Sequence, residues 1–148
     1  MRAYEMLYLL RADPPSKRIL AGIYPRDKLP RGYVVSKKPK CYIVNTDIST
    51  GVGEHWVCVC IHPNGIGEYF DSFGFPPRHL EIQSFLQRNC RRYVFNNVPL
   101  QGALSETCGF YCVYYVKKKA RGLTMRGLLR PFRPTRPHFN DRFVLSRM

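Results

Sequence analysis

The chain has 148 residues, enough for one domain around one sizeable core, and a formal net charge of +14 from 24 Lys and Arg against 10 Asp and Glu. No apolar run reaches a bilayer-spanning length, since even Tyr111 to Val116 is stopped by Lys117, Lys118 and Lys119, which excludes an integral helical membrane protein. Met1 to Leu10 is interrupted by Glu5, lacks a small-residue cleavage site and runs into Arg11 and Asp13, so it does not read as a secretion signal; a soluble, intracellular protein is expected.

Prolines at 14, 15, 25, 30 and 39 cut the first forty residues into short pieces, which predicts a short N-terminal helix and then an extended, turn-rich lead-in. Tyr42 to Asn45 reads as a short strand. Residues 55 to 62 are apolar on both parities, the pattern of a central strand covered on both faces. Pro63-Asn64-Gly65 supplies turn chemistry and Glu68 to Asp71 resumes an extended pattern, so a β-hairpin follows. With the turn centred on Asn64, His55 falls opposite Phe73, and Asp71 becomes its diagonal neighbour on the same sheet face. A register shift of one residue would put the two on opposite faces.

Pro77 to Cys90 carries Leu80, Ile82, Phe85 and Leu86 among polar residues, a helix with one apolar side. Tyr93 to Phe95 is another strand. A loop from Gln101 then passes Ser105 and Thr107, both capping residue types, into a core helix that starts at Cys108 and ends in basic residues and Gly122. Pro131 to Pro137 looks irregular, and residues 138 to 148 read as a docking segment or a frayed tail. No internal repeat or low-complexity linker divides the chain.

The positive charge is uneven. After Tyr115, ten Lys and Arg residues oppose Asp141 alone. This is either a solvated face or a contact surface for DNA or another polyanion, with Lys117, Lys118, Lys119 and Arg121 as the first candidates. The six cysteines (Cys41, Cys58, Cys60, Cys90, Cys108, Cys112) lack the setting of a disulfide framework and are expected to be reduced. Cys58 and Cys60 are separated by one residue on a strand, which suits burial on one sheet face better than zinc; no metal site is expected.

Cys108 in the first turn of a helix meets unpaired N–H donors and partial positive charge, both of which stabilise a thiolate. Glu106 nearby opposes this unless it points outward. His55 would serve as base, Asp71 would orient it, and the Gln101 amide, seven residues before Cys108, could return beside the Cys108 N–H as an oxyanion donor. Taken singly, each has a plain reading: a core thiol sharing a helix face with Cys112, a turn aspartate, a solvated glutamine, a core Trp56. Taken together, the order and placement of the four point to thiol-based acyl transfer.

At these residues the chain resembles the adenovirus protease, or adenain-like, cysteine peptidases, with motifs close to those of proteases carried by Polinton/Maverick-type DNA elements and related viruses. The resemblance runs over about residues 20 to 124, through Tyr42-Ile43-Val44-Asn45-Thr46-Asp47, Gly53-Glu54-His55-Trp56, Tyr69-Phe70-Asp71-Ser72-Phe73-Gly74, Asn96-Asn97, Leu100-Gln101-Gly102 and Cys108-Gly109-Phe110-Tyr111-Cys112. It implies a single α+β domain of the papain-like, Ulp1-like protease fold, a mixed sheet packed with helices, with the nucleophile at a helix start. His55 is then the general base, Asp71 the orienting acid where adenovirus enzymes commonly carry Glu, Gln101 the oxyanion amide and Cys108 the nucleophile.

The resemblance further implies a monomeric endopeptidase that cleaves virion or capsid precursors after small residues, at Gly-Gly or Gly-X sites, in the nucleus or the virion. The chemistry itself requires no cofactor. Stimulation by DNA and by a peptide disulfide-linked to a cysteine comes with the family; Cys90, eleven residues before Gln101, stands where that cysteine would align. Alternatives are a ubiquitin-like-modifier (SUMO-type) protease on the same scaffold, a non-catalytic nucleic-acid-binding or capsid-associated module, and a domesticated host copy of a mobile element.

Overall fold

The computed structural model describes residues 1–148. Its centre is a mixed five-stranded sheet in the order β1 (Leu20–Pro25), β2 (Lys40–Asn45), β3 (Trp56–Ile61), β4 (Ile66–Phe70) and β5 (Arg92–Phe95). The outer pairs β1–β2 and β4–β5 are parallel, and the two inner pairs are antiparallel. The helices are α1 (Ala3–Arg11), α2 (Pro14–Ile19), α3 (Leu80–Asn89), α4 (Cys108–Ala120), α5 (Met125–Leu129) and α6 (Pro137–Leu145). The α+β class and the mixed sheet agree with the sequence.

Strand β3 is covered on both faces, as its apolar parities require. Cys58 and Cys60 point to one side, where they join Ile43, Phe70, Tyr111, Tyr115 and Val116 in a core beneath α4. Val57, Val59 and Ile61 point to the other side and meet Ile82, Phe85 and Leu86 of α3. Helix α4 is buried along most of its length because β3, α1, α2, α5 and α6 all pack on it. Burying each large apolar side chain here contributes about 1.5–3 kcal/mol, so this enclosure fixes α4 firmly against the sheet.

Three readings of the sequence need correction. Pro14 and Pro15 do not end helical structure but begin α2, since proline lacks an N–H that a first helical turn would leave unpaired. The lead-in contains an unforeseen edge strand, β1, with no strict alternation to reveal it. The last segment is no frayed tail: Phe132, Asn140, Asp141 and Val144 are buried, and α6 packs on α4.

Candidate active site

Strand β3 begins where β4 ends, so the residue before one and the residue after the other share an end of the sheet. These are His55 and Asp71. The ladder pairs Cys58 with Phe70 and Val59 with Tyr69, the register that sets His55 opposite Phe73. The His55 ring stacks on Phe73, and its Nε2 lies 2.7 Å from Asp71 Oδ1, as the diagonal relationship predicts. That bond leaves Nδ1 as the nitrogen available to a thiol.

Both partners are held from behind. Asn96 takes the Asp71 N–H on its Oδ1 at 2.9 Å and donates Nδ2 to the Asp71 carbonyl at 2.7 Å, while the Phe73 N–H donates to Asp71 Oδ1 at 2.9 Å. The next turn passes through Gly74 at φ 79°, where an added Cβ would come within 2.6 Å of the Val98 carbonyl carbon. On the histidine side, Asn45 Oδ1 accepts from the Asp47 and Glu54 N–H groups at 2.9 and 3.0 Å, and Thr46 N–H donates to the His55 carbonyl at 2.8 Å. These bonds close the β2–β3 loop beside His55.

Cys108 opens α4, half-buried beside the imidazole. Burial works against its thiolate, yet His55 and the backbone N–H groups of Trp56 and Gly109 outweigh it and hold its pKa below the ordinary thiol value. Burial likewise disfavours the imidazolium, but Asp71 and Cys108 reverse this and raise the His55 pKa to about 9. The two groups therefore favour one another's charged forms. Glu106 is exposed to solvent on the wall of the same groove, where water screens its carboxylate.

Gln101 is buried rather than solvated. The Ser72 hydroxyl donates to its Oε1 at 2.5 Å, which fixes the amide's orientation, and Nε2 donates to the Ser105 carbonyl at 2.7 Å. Nε2 has a second hydrogen. Gln101, His55, Asp71 and Cys108 all line one groove of about 950 Å³, with Trp56 on its wall and the Trp56 indole N–H tied to the Met1 carbonyl at 3.1 Å.

Residues 20–125 match the adenovirus endoprotease family. The chain belongs to that family. A protease of Equine adenovirus B serotype 2 is 32% identical over 117 residues, covering 69% of this chain and 57% of the relative. One from Porcine adenovirus A serotype 3 is 31% identical over 110 residues, covering 64% and 54%. This adenovirus-endoprotease relative thus spans about half the length of the curated relatives it matches. A crystal structure of an ASFV protease superposes with a TM-score of 0.54 at 22% identity, covering 72% of this chain and 43% of that one, and so shares the fold.

Other expected residues lie elsewhere. Cys90 caps the C-terminus of α3, half-buried, its thiol donating to the Leu86 carbonyl at 2.9 Å. Lys119 does not belong to an accessible basic surface: it is 6% exposed and its Nζ lies 3.0 Å from Glu68 Oε2. It faces inward because α4 turns that position toward the sheet. Arg121 is exposed but paired with Asp13 at 2.8 Å. Thr107 occupies the N-cap position of α4 without capping it; its hydroxyl donates instead to Asp141 at 3.1 Å.

The supporting side chains Asn45, Ser72 and Asn96 sit inside the quoted motifs, yet nothing in the sequence assigned them a task. Asp141 carried no signal except as the lone acid in a basic stretch.

Proposed function

We propose that this chain is a cysteine endopeptidase in which Cys108 is the nucleophile, His55 the acid–base group, Asp71 its orienting partner and Gln101 an oxyanion donor. The observation that carries the reading is the 2.7 Å bond between His55 Nε2 and Asp71 Oδ1, set beside a thiol at the start of a helix. Family membership supports the same chemistry.

In this mechanism the Cys108 thiolate attacks the scissile carbonyl carbon. The carbonyl oxygen takes the negative charge and is met by the free Nε2 hydrogen of Gln101 and the Cys108 backbone N–H. His55, protonated and held by Asp71, gives its proton to the leaving amine, and the C–N bond breaks to leave a thioester. Neutral His55 then takes a proton from water, whose oxygen attacks the thioester carbonyl. The carboxylic acid departs and the Cys108–His55 pair is restored.

The substrates we propose are precursor polypeptides of a virion or capsid, cut after small residues such as Gly-Gly or Gly-X. The basic residues Lys117 and Lys118 are the proposed DNA contacts, and Cys90 the proposed attachment point of an activating peptide, with a reducible disulfide as its signature. A fluorogenic peptide ending in Gly-Gly tests the core of the reading. Wild-type protein should release the fluorophore and Cys108→Ala and His55→Ala should not; equal turnover by Cys108→Ala would refute the assignment.

A further inference from the structure

Ser72 and Ser105, inside the segment shared with the family, hold the Gln101 side chain directly, but the backbone on either side of it is held from outside that segment. Helix α6 lies beyond residue 125, yet it turns two polar side chains into the core: Asn140, fully buried, and Asp141, 8% exposed. Asn140 Nδ2 donates to the Leu100 carbonyl at 3.1 Å, and Asp141 Oδ2 accepts from the Gly102 N–H at 3.3 Å. The two neighbours on α6 thus grip the peptide units on either side of Gln101. Gly102 allows the close approach, since a Cβ there would lie 3.1 Å from Asp141 Oδ2.

Asp141 also reaches the nucleophile's helix. Its Oδ1 accepts from the Tyr111 hydroxyl at 2.8 Å and the Thr107 hydroxyl at 3.1 Å, one turn into α4 and one residue before Cys108. Thr107 in turn meets the Ser105 hydroxyl at 2.9 Å, and the Ser105 carbonyl takes the Gln101 amide. Asn140 is anchored to its own segment by both Arg133 backbone groups, accepting from the N–H at 2.8 Å and donating to the carbonyl at 2.7 Å. A single carboxylate therefore spans the two elements that must supply the two oxyanion donors.

We infer that Asp141, seconded by Asn140, is a positioning residue for the oxyanion site, setting the Gln101 amide relative to the start of α4. The inference rests on the peptidase reading above. A buried carboxylate accepting three hydrogen bonds sits in a low-dielectric network where loss of one acceptor strands donors on both sides. Asp141 touches no groove residue except through Gly102 and Thr107, so it acts on geometry and takes no part in bond making. Displacing a donor by about 1 Å can cost up to about 10²-fold in rate.

The test compares Asp141→Asn, Gln101→Ala and the double variant on the Gly-Gly fluorogenic peptide, with iodoacetamide alkylation of Cys108 and thermal melting in parallel. Asp141→Asn keeps the volume and one acceptor oxygen but sets an NH₂ against the Gly102 N–H or the two hydroxyls. It should lower kcat roughly 10- to 100-fold with KM within about twofold, leave the alkylation rate and its pH midpoint unchanged, and cost under about threefold more in the Gln101→Ala background. Unchanged kcat in a folded variant, multiplicative losses in the double variant, or parallel loss of turnover, alkylation and folded fraction would each overturn the inference. Wild-type protein that cleaves nothing, with Cys108 alkylating no faster than a free thiol, would instead sink the peptidase reading. The inference would then be judged by the Gln101 side-chain amide resonances in NMR, which Asp141→Asn must shift and an unaltered spectrum would contradict.

Discussion

The imidazole of His55 lies over the ring of Phe73, with centroids 4.7 Å apart and planes inclined by 23°. The stack follows from the β3–β4 register and fixes the ring plane, while the bond to Asp71 fixes its rotation. An aromatic pair of this kind contributes about 0.5–1.5 kcal/mol beyond its buried area. Phe73→Ala should therefore lower kcat/KM of the proposed peptidase by several-fold and no more than about tenfold, since Asp71 remains. Phe73→Tyr should retain most of the activity. Steady-state cleavage of the Gly-Gly peptide by the three proteins measures this.

The pH profile follows from the Cys108–His55 pair. Attack needs the thiolate, and expulsion of the amine needs protonated His55. Activity should rise on the acid side as Cys108 ionises below its ordinary thiol pKa, and fall on the alkaline side near 9 as His55 deprotonates. Asp71→Asn removes one of the two groups that offset burial in raising the His55 pKa, so its alkaline limb should move to lower pH. A limb that stayed near 9 in that variant would show that Asp71 does not control the imidazole.

Ser72→Ala should weaken turnover without touching the nucleophile. The Ser72 hydroxyl is the donor to Gln101 Oε1 at 2.5 Å, and both residues are buried, so its loss strands an acceptor at a cost of about 1–3 kcal/mol and frees the amide to rotate. We expect kcat to drop about tenfold, with iodoacetamide alkylation of Cys108 unchanged. Equal slowing of both reactions would place the damage at Cys108 instead.

How much of this was legible beforehand depended on local pattern. The doubly apolar run at 55–62 and the Asn64-Gly65 turn suggest a hairpin that brings His55 and Asp71 together in one of two registers, and the observed ladder is the one that joins them. Cys108 followed from a helix start that its basic end and Gly122 bracket. Lys119 was misread because charge alone says nothing of facing: only the packing of α4 on the sheet shows that position 119 points at Glu68. The role of Asp141 was invisible for a related reason, since it joins residues 30 to 39 positions away. Hydrogen bonds of that span follow from tertiary packing and leave no periodic trace in the chain.

Lys119 gives a prediction that separates stability from surface charge. Glu68 is buried on β4, where it accepts from the Tyr115 hydroxyl at 2.5 Å, from Lys119 Nζ at 3.0 Å, and lies 3.2 Å from His62 Nε2. Burial alone would raise the Glu68 pKa, but His62, Tyr115 and Lys119 hold it below the usual carboxylate value. Cys60 and then Glu68 raise the His62 pKa to about 9. Glu68's contribution is present above its ordinary value of 4.5 and lost as pH falls through its lower folded value. That of His62 is fully present below 6.5 and lost as pH rises through about 9. Lys119→Ala leaves Glu68 buried beside a weaker partner set and should cost about 3–5 kcal/mol, a fall in Tm of about 6–20 °C. Lys117→Ala with Lys118→Ala should leave Tm within a few degrees and instead reduce DNA affinity at low salt, with a shallower salt slope. Calorimetry and DNA titrations on the two variants decide it: a Lys119→Ala protein that melts like wild type would show that the buried pair contributes nothing to the fold.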